Sequence, residues 1–425
     1  MIIDNHQYKP LQFFEYDRVT FKGKWSDPKF NKTHFEAFEQ YYIANPDTSF
    51  FELIPNGVRF KQYVGVVQIG KTTIEVLPKA GRHSEKDVWQ GVLLDMLKAC
   101  HLLTARNTGT AQLRLKSNSL LHLYFELFLN EVELLIKRGL IKKYRRENAQ
   151  AKSLRGPIQF AKQIANNTIH KERFYINDSL YDKDHHIHQI LNETIRVISH
   201  FTDEAVVRDK LNRVKALFPE TKSLKVVSSD FKKIPLSRKH IPYEKALLIS
   251  ELILLNYRPD IKSGSRDLIA LMFDMNKLWE EYILQSLRRE GSDRFTIRGQ
   301  KQKVFWNNSK VIKPDIVIET KDKVNTYIVD TKWKVVNDGK PGDDDLKQMY
   351  AYNYRWNCNH SMLLYPSTTD QTKVKGQYFK AEDGKSHSCE LAFAQVLDGK
   401  TLNKNIAKEI LHSFENSKES IENVP

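Results

Sequence analysis

Two strand-like segments decide the fold of this chain: KPDIVI at residues 313–318 and IVDTKWK at residues 328–334. Residues two apart on a strand point to the same face, so Asp330 and Lys332 project together. The polar turn between the segments is of hairpin length, and pairing of the two strands would bring Asp315 to the same place. The pattern therefore predicts two carboxylates and one ammonium near the edge of a sheet.

Two carboxylates beside a lysine form a site suited to phosphodiester chemistry. Asp315 and Asp330 offer the hard oxygen ligands that Mg²⁺ prefers. The metal would polarise a phosphate and activate a water, while Lys332 would orient that water or stabilise the charge developing on the phosphoryl oxygens. Taken singly, these residues are more simply turn and surface residues. A charge that follows the apolar run 327–329 is costly without a task, which favours the functional interpretation.

The sequence around these segments predicts an α/β arrangement. A helix is expected over residues 267–289, followed by a meander of short strands over 295–332. A second helix is expected over 346–357, and a strand over 361–365 that ends at a proline. Helix, meander, helix and strand in this order predict a mixed sheet flanked by helices.

Gln348 and Tyr352 stand four residues apart on the second helix, so both lie on one face. The order Pro-Asp315, Asp330-x-Lys332 and Gln348-x-x-x-Tyr352 resembles the PD-(D/E)xK nuclease superfamily, in the branch with the added Gln-x-x-x-Tyr motif. The similarity is greatest to the McrC family, the nuclease subunits of McrBC 5-methylcytosine-dependent restriction systems. Further segments that resemble this family are YVGV at 63–66, IEVLPK at 74–79, LRG at 154–156 and FDMNKLWE at 273–280.

The resemblance implies a metal site built from four residues. Asp315 and Asp330 would bind Mg²⁺, helped by the backbone carbonyl of Thr331. Glu280, on the helix before the sheet, would support the metal directly or through water. From the residues alone Glu280 is equally a solvated helix residue, and its neighbour Glu281 is the alternative that would face the site.

The resemblance also implies the catalyst and the partners. Lys332 would be the catalytic lysine, while Gln348 and Tyr352 would contact the site and the DNA backbone. DNA is one expected partner, and an AAA+ GTPase ring of the McrB kind is the other. In that arrangement the ring binds GTP, and Mg²⁺ is the cofactor of this chain.

The chain divides by pattern into three predicted domains, which together make an α/β multidomain protein. Residues 1–103 read as a β-rich N-terminal domain with a helix at 32–43, and by the resemblance this domain docks on the partner ring and stimulates GTP hydrolysis. Residues 104–258 read as a helical connector. Residues 259–425 form the predicted PD-(D/E)xK nuclease domain.

Composition narrows the class of protein. The 425 residues include 67 Lys and Arg against 52 Asp and Glu, a formal charge of +15, which predicts an anionic partner such as nucleic acid. With 40% hydrophobic residues the chain is able to build a core, so wholesale disorder is excluded. Its three cysteines provide neither a disulfide framework nor a four-cysteine zinc site. No apolar run is long enough for a membrane span, and we expect a cytoplasmic protein without a membrane partner.

One basic cluster stands apart from the predicted site. Six cations surround Tyr144 and would suit a phosphate backbone, although a solvated helix end explains them as simply: Lys142, Lys143, Arg145, Arg146, Lys152 and Arg155.

Two further patterns suggest chemistry that their context does not support. Residues 65–72 satisfy the G-x-x-x-x-G-K-[ST] formula of a P-loop, but a strand is expected after Lys71 where a P-loop needs a helix, so we predict a hairpin turn. The histidine-rich segment 182–188 has no metal-ligand spacing, and a helix N-terminus with Asp184 in its first turn is the preferred interpretation.

The function predicted from these observations is that of a Mg²⁺-dependent DNA endonuclease subunit of a modification-dependent restriction system. Two rivals remain: an autonomous repair or restriction nuclease of the same superfamily, and a non-catalytic DNA-binding scaffold that keeps the fold. Presence of Asp315, Asp330 and Lys332 disfavours the scaffold, because a dead site would not need all three.

Overall fold

A computed structural model describes residues 10–46, 50–80, 85–100, 102, 119–202, 204–235, 237–258, 267–307, 309–334, 336, 341–369, 374–378 and 387–422. The strands in these ranges are β1 Leu11–Phe14, β2 Arg18–Thr20, β3 Phe51–Ile54, β4 Gly57–Phe60, β5 Tyr63–Ile69, β6 Thr72–Leu77, β7 Lys143–Ala151, β8 Phe174–Asp182, β9 Tyr257–Arg258, β10 Leu268–Asp274, β11 Phe295–Gly299, β12 Lys303–Trp306, β13 Lys310–Ile312, β14 Ile316–Thr320, β15 Thr326–Thr331, β16 His360–Ser367, β17 Val374–Gln377, β18 Ser388–Gln395, β19 Leu397–Asp398 and β20 Thr401–Leu402. The helices are α1 Lys32–Ala44, α2 Lys86–Ala99, α3 Leu120–Arg138, α4 Phe160–Asn167, α5 His186–Phe201, α6 Ala205–Leu217, α7 Ser228–Lys232, α8 Glu244–Leu255, α9 Met275–Gly291, α10 Asp343–Trp356 and α11 Ile406–Glu422, with a 3-10 turn at Ile241–Tyr243.

The chain forms two compact units. The first takes the described residues within 68–73 and 108–271, and the second takes those within 10–67, 74–107 and 272–425. Most of the N-terminal β-rich segment therefore shares a unit with the C-terminal sheet. The three-domain division at 103 and 258 stays a prediction.

A six-stranded mixed sheet forms the centre of the second unit, in the order β11-β14-β15-β16-β18-β17. β14 and β15 pair as an antiparallel hairpin, and β15, β16 and β18 run parallel. Helix α10 packs Met349 and Trp356 onto one face of the sheet, against Val317 and Ile328. Alternate residues of β15 point to the other face, where Tyr327 stacks on a phenylalanine of α11 at 4.6 Å. The predicted mixed sheet flanked by helices is confirmed.

The helix predicted over 267–289 is wrong in its first part. Residues 268–274 form β10, whose first four residues are buried, and only then does α9 begin. Asp274 ends the strand and caps the helix, because its side chain accepts hydrogen bonds from the backbone N–H groups of Asn276 and Lys277. The apolar run LIALMF has no helical period, so burial on a sheet explains it better.

The N-terminal part of the second unit agrees with the β-rich prediction. β2, β4 and β3 form an antiparallel sheet, and β1 runs parallel to β6, which neighbours β5. Helix α1 covers the three-stranded sheet with aromatic side chains, since Phe38 meets Phe51 edge-on at 4.9 Å and Phe60 at 6.4 Å. Asn31 and His34 cap the start of α1, which begins at Lys32 as predicted.

The described helices of the first unit are α3 to α8, and its longest strands form one hairpin. β7 and β8 pair over nine residues each, from Lys143 opposite Asp182 to Ala151 opposite Phe174. The predicted solvated helix end at the basic cluster is therefore wrong, since Lys143, Arg145 and Arg146 lie on β7 and the helix before them ends at Arg138. Polar side chains alternate between half-buried and exposed along the strand, and this period of two, with no apolar stripe, specifies a strand. Tyr144 is exposed there.

The P-loop formula at residues 65–72 forms a hairpin turn, as predicted, but the placing of Asp184 in the first turn of a helix is wrong. β5 ends at Ile69 and β6 begins at Thr72, so Gly70 and Lys71 form a tight turn, with Gly70 at φ +53°. Helix α5 begins at residue 186, so Asp184 precedes its cap rather than lying in its first turn. No described helix is both long and apolar enough to cross a membrane.

A glycine in the N-terminal sheet gives a test of this packing. A Cβ atom on Gly57 would lie 2.0 Å from the carbonyl oxygen of Val19 and 2.7 Å from the Cα of Thr20, on the paired strand. We expect Gly57→Ala to lower the free energy of unfolding by about 1–3 kcal/mol, measured by urea denaturation. Gly91, inside α2 with open space around its Cβ position, is the control, and Gly91→Ala should instead stabilise by about 0.5–1 kcal/mol. Equal stability of the two variants would contradict this packing.

Candidate active site

Asp315 and Asp330 lie side by side at one end of the central hairpin. Ile316 pairs with Val329 in the β14–β15 register, so the next pair along it joins Asp315 to Asp330. Directly opposed residues on antiparallel strands share a face. Asp315 accepts hydrogen bonds on Oδ2 from the backbone N–H of Thr331 at 2.8 Å and from its hydroxyl at 3.0 Å. Asp330 is almost completely buried.

Lys332 is the cation of this carboxylate pair. Its Nζ lies 2.7 Å from Oδ2 of Asp330 and 3.6 Å from Oδ1 of Asp345, and donates a hydrogen bond to Oε1 of Gln348 at 3.3 Å. Burial acts to lower the pKa of Lys332, but the carboxylates of Asp330, Asp345 and Asp315 outweigh burial and raise that pKa above its ordinary value. The lysine is thus held protonated.

Helix α10 contributes the two residues predicted from its helical spacing. Gln348 donates from Nε2 to the hydroxyl of Tyr352 at 2.7 Å, and that hydroxyl donates to the backbone carbonyl of Lys313 at 3.0 Å. Gln348 therefore joins Lys332, through its oxygen, to the segment that carries Asp315. Tyr352 is buried and holds the helix against the base of β13.

Helix α9 turns Glu280, and not Glu281, towards the site. Glu280 accepts a hydrogen bond from Nε2 of Gln300 at 2.8 Å, and its charge interacts with that of Asp315. Glu281 instead accepts from Gln285 on its own helix at 2.6 Å. The alternative left open by the sequence is thereby decided in favour of Glu280.

Burial raises the pKa values of all three carboxyl groups, and the charge of Asp315 adds to that rise for Asp330 and Glu280. Burial is the largest cause for each, and it lifts the pKa of Asp330 to about 6 and that of Glu280 to about 7. Asp315 also titrates above its ordinary range because of burial, although the Thr331 hydrogen bonds oppose that rise. Carboxyl groups whose pKa values are shifted by burial and by neighbouring charges make this cluster a candidate functional site.

Two residues of the site were missed in the sequence. Asp345 lies in the first turn of α10 and pairs with Lys334 at 2.7 Å, besides its contact with Lys332. The acidic run 343–345 after a glycine was a signal for it, because acidic side chains favour a helix N-terminus. Gln300 gave no signal: it has φ +50°, donates its backbone N–H to the carbonyl of Asp315 at 2.8 Å, and accepts from Lys313.

The residues present fit a Mg²⁺ ion of few protein ligands. Within the described ranges no three His, Cys, Asp or Glu side chains converge as a ligand group. Mg²⁺ in proteins is commonly held by one or two carboxylates, with waters completing its shell, so Asp315 and Asp330 suffice. All the donors here are oxygens, and the crowded carboxylates favour a cation. Glu280 and the Thr331 carbonyl complete the predicted set.

Trp333, next to Lys332, is buried in the core. It packs on Trp279 at 5.3 Å, and its Nε1 donates to Oε1 of Glu15 at 2.6 Å. Glu15, directly after β1, also accepts the backbone N–H of Lys79 at 2.8 Å. Burial raises the pKa of Glu15 to about 7. A buried carboxyl of the N-terminal strands therefore anchors the residue that follows the lysine.

Comparison with protein families gives one decisive match. Residues 58–366, more than two thirds of the chain, match the family described as McrBC 5-methylcytosine restriction system component. The chain belongs to this family. The resemblance predicted from the motifs is confirmed, and the family match includes Glu280, Asp315, Asp330, Lys332 and both residues of α10. No curated protein matches the chain.

Solved structures show that the McrBC family member shares a known fold. A chain of the half-complex refined from the tetradecameric assembly of Thermococcus gammatolerans McrB AAA+ hexamers with bound McrC covers 96% of this chain and 100% of its own, at 18% identity and a TM-score of 0.69. A chain of the cryo-EM structure of the Thermococcus gammatolerans McrBC complex covers 66% of this chain and 88% of its own, at 18% identity and a TM-score of 0.47.

The buried carboxylates predict how the McrBC family member responds to Mg²⁺. Asp330→Asn removes one of the two predicted carboxylate ligands at nearly constant side-chain size, together with the ion-pair partner of Lys332. Addition of Mg²⁺ should raise the melting temperature of the natural protein but not that of Asp330→Asn. The control is Asp344→Asn, at an exposed position in the first turn of α10. A Mg²⁺-induced shift that survives in Asp330→Asn would exclude this metal site.

The buried Glu15 predicts a pH effect on stability. The pKa of Glu15 is about 7 in the folded protein, above its ordinary value of 4.5. The contribution of neutral Glu15 to the free energy of unfolding is therefore complete below pH 4.5 and is lost as the pH rises through 7. Glu15→Gln keeps an acceptor for Trp333 without the charge. The stability of the variant relative to the natural protein should therefore grow between pH 5 and 8 by roughly 1–3 kcal/mol, measured by denaturant unfolding. Parallel pH profiles for the two proteins would contradict a neutral, buried Glu15.

Proposed function

We propose that this chain is the metal-dependent DNA endonuclease subunit of a modification-dependent, 5-methylcytosine-type restriction system. In this proposal the C-terminal domain, residues 259–425, has the PD-(D/E)xK architecture and hydrolyses DNA phosphodiester bonds. The observation that carries the proposal is the ammonium of Lys332, 2.7 Å from buried Asp330 and beside Asp315. Membership of the McrBC family supports the system, and the +15 charge supports DNA as the substrate.

Asp315 and Asp330 would hold Mg²⁺ with the Thr331 carbonyl, and Glu280 would support it. When bound, Mg²⁺ supplies charge stabilisation at the phosphate and lowers the pKa of water. Asp315 is fixed for this role by the two Thr331 hydrogen bonds. Gln300 in turn fixes the orientation of Glu280.

Lys332 acts as a fixed positive charge and hydrogen-bond donor. The neighbouring carboxylates raise its pKa above the ordinary value, so it carries a positive charge beside the proposed metal ligands. Its role is to stabilise negative charge on the phosphoryl oxygens as the phosphorus is attacked. Gln348 accepts one of its N–H groups, which limits the directions in which the ammonium points. Removal of one preorganised donor of this kind costs about 10²–10³ in rate.

The partner in this proposal is an AAA+ GTPase ring of the McrB kind, whose GTP hydrolysis this chain stimulates. The solved structure of the same fold contains McrB AAA+ hexamers with bound McrC, and this chain would make the equivalent assembly. In this proposal GTP binds to the ring. The G-x-x-x-x-G-K-T formula at residues 65–72 of this chain forms a hairpin and lacks the helix that a phosphate-binding loop needs. The N-terminal β-rich segment is the proposed docking part.

Cleavage assays test the proposed site directly. With the partner, GTP and Mg²⁺, the natural protein should cleave 5-methylcytosine DNA, whereas Asp330→Ala and Lys332→Ala should each lose at least about 100-fold in rate. Stimulation of GTP hydrolysis should persist in both variants. The matched pair on α9 adds a control, because Glu280→Gln should slow cleavage and Glu281→Gln should not.

The same assay separates the alternatives. Cleavage that needs neither partner nor GTP would indicate an autonomous nuclease of the same superfamily. DNA binding without cleavage under every metal condition would indicate a non-catalytic scaffold. Unchanged cleavage by Asp330→Ala would remove the proposed site from the protein.

A further inference from the structure

A two-stranded ribbon beside the candidate site exposes aromatic side chains. β12 and β13 pair with each other outside the six-stranded sheet, and we call residues 303–312 the aromatic ribbon. Phe305 is 60% exposed and Trp306 is 64% exposed, with Val304 and Val311 also exposed. Clustered exposed apolar side chains of this size mark an interaction surface rather than scattered surface residues.

A β-bulge sets the direction of the two aromatic residues. The pairing register shifts between Val304 and Trp306, which leaves Phe305 as the extra residue. A bulge breaks the strict alternation of a strand and re-aims a side chain. Consecutive aromatic residues are thereby both presented to solvent.

The base of the aromatic ribbon is fixed to the candidate site. The chain leaves β13 at Lys313, whose carbonyl accepts the Tyr352 hydroxyl and whose Nζ donates to Gln300 at 3.1 Å. Gln300 is the residue that holds Glu280. Asp315 comes two residues after Lys313. The end of the ribbon is therefore directly connected to the segment that carries the first carboxylate of the cluster.

Helix α10 braces the same ribbon from the side. Arg355 donates from Nε to the carbonyl of Val304 at 3.0 Å, and Lys303 donates to the carbonyl of Arg355 at 2.9 Å. The Lys303 ammonium also lies 4.8 Å from the ring centroid of Trp356. The ribbon is therefore a fixed projection, since both its backbone and its side chains are tied to a core helix.

The charge of the segment identifies the kind of surface that it fits. Residues 300–313 contain four lysines and no acidic residue: Lys301, Lys303, Lys310 and Lys313. Lys310 is exposed next to the aromatic tip. An acid-free segment that combines cations with exposed aromatic rings is complementary to a polyanion with stacked bases.

We propose that the aromatic ribbon grips the DNA beside the scissile phosphate. Phe305 and Trp306 contact base edges or stack on bases, and Lys310 contacts a backbone phosphate. The contact is independent of sequence, because any base offers a ring face and any groove edge is partly apolar. This inference rests on the proposed nuclease function and adds the element that positions its substrate.

Binding of a fluorescent DNA duplex tests this inference in the full chain. In the Lys332→Ala background, which prevents cleavage, Trp306→Ala and Phe305→Ala should each weaken binding about tenfold. Lys310→Ala should weaken it less and should reduce its salt dependence. With an active site, the Phe305→Ala, Trp306→Ala double variant should cleave DNA with a raised KM.

Controls are available at the opposite end of β14. Val324 is 74% exposed there and Lys321 is also exposed. Val324→Ala is the control for loss of an exposed apolar side chain, and Lys321→Ala is the control for loss of an exposed cation. Both variants should leave DNA binding unchanged. Each ribbon or control substitution should leave the melting temperature of its parent protein unchanged, since the altered side chain is solvent-exposed.

Two outcomes would overturn the inference without touching the proposed function. One is a natural protein that cleaves DNA while the double ribbon variant binds and cleaves it equally well. The other is a double variant that loses stimulation of GTP hydrolysis at unchanged DNA affinity, which would make the ribbon a protein-contact surface. A natural protein that fails to bind or cleave DNA at all would instead refute the proposed function.

Discussion

The site depends on one constraint: two carboxylates are placed opposite each other on adjacent strands and are buried. The β14–β15 register places Asp315 opposite Asp330, and burial makes both charges costly. The surrounding donors offset that cost. Thr331 donates twice to Asp315, and Lys332 lies in ion-pair contact with Asp330. The residual excess of negative charge is what makes the site suitable for a cation.

Around this pair the polar side chains form a connected chain of contacts. Lys332 bonds to Gln348, Gln348 to Tyr352, and Tyr352 to the carbonyl of Lys313. Lys313 bonds in turn to Gln300, which bonds to Glu280. Two helices, the central hairpin and the base of the aromatic ribbon are thus held in register by the groups that would perform the chemistry. A change in one of them is expected to disturb its neighbours, because hydrogen-bonded networks are not additive.

The hydrogen bond from Trp333 to Glu15 makes the N-terminal strands part of the support of the site. The two residues are 318 positions apart in sequence, and both are buried. Trp333 directly follows Lys332, so the position of the lysine depends on packing at both ends of the chain. The grouping of the N-terminal strands with the C-terminal sheet in one compact unit has the same origin.

Local patterns in the sequence determined the elements whose signal is short-range. The short apolar runs of β14 and β15, the helical spacing of Gln348 and Tyr352, and the two-residue turn at Gly70 were all readable, because each depends on residues near in sequence. The same reasoning failed at residues 268–274 and at β7. An apolar run without a period and a polar strand without an apolar stripe both take their form from the strands that they meet.

The sequence by itself therefore predicted which residues meet at the candidate site: two aspartates, a lysine, and a glutamine and tyrosine on one helix face. Tertiary structure alone decided that Glu280 rather than Glu281 faces the carboxylates, that Gln300 and Asp345 join them, and that Glu15 supports Trp333. Side-chain type and spacing are local properties, whereas the choice between adjacent helix residues and contacts across hundreds of positions depend on how the packed elements are rotated and aligned. That alignment is fixed by burial of the whole core, and no segment of the sequence contains it.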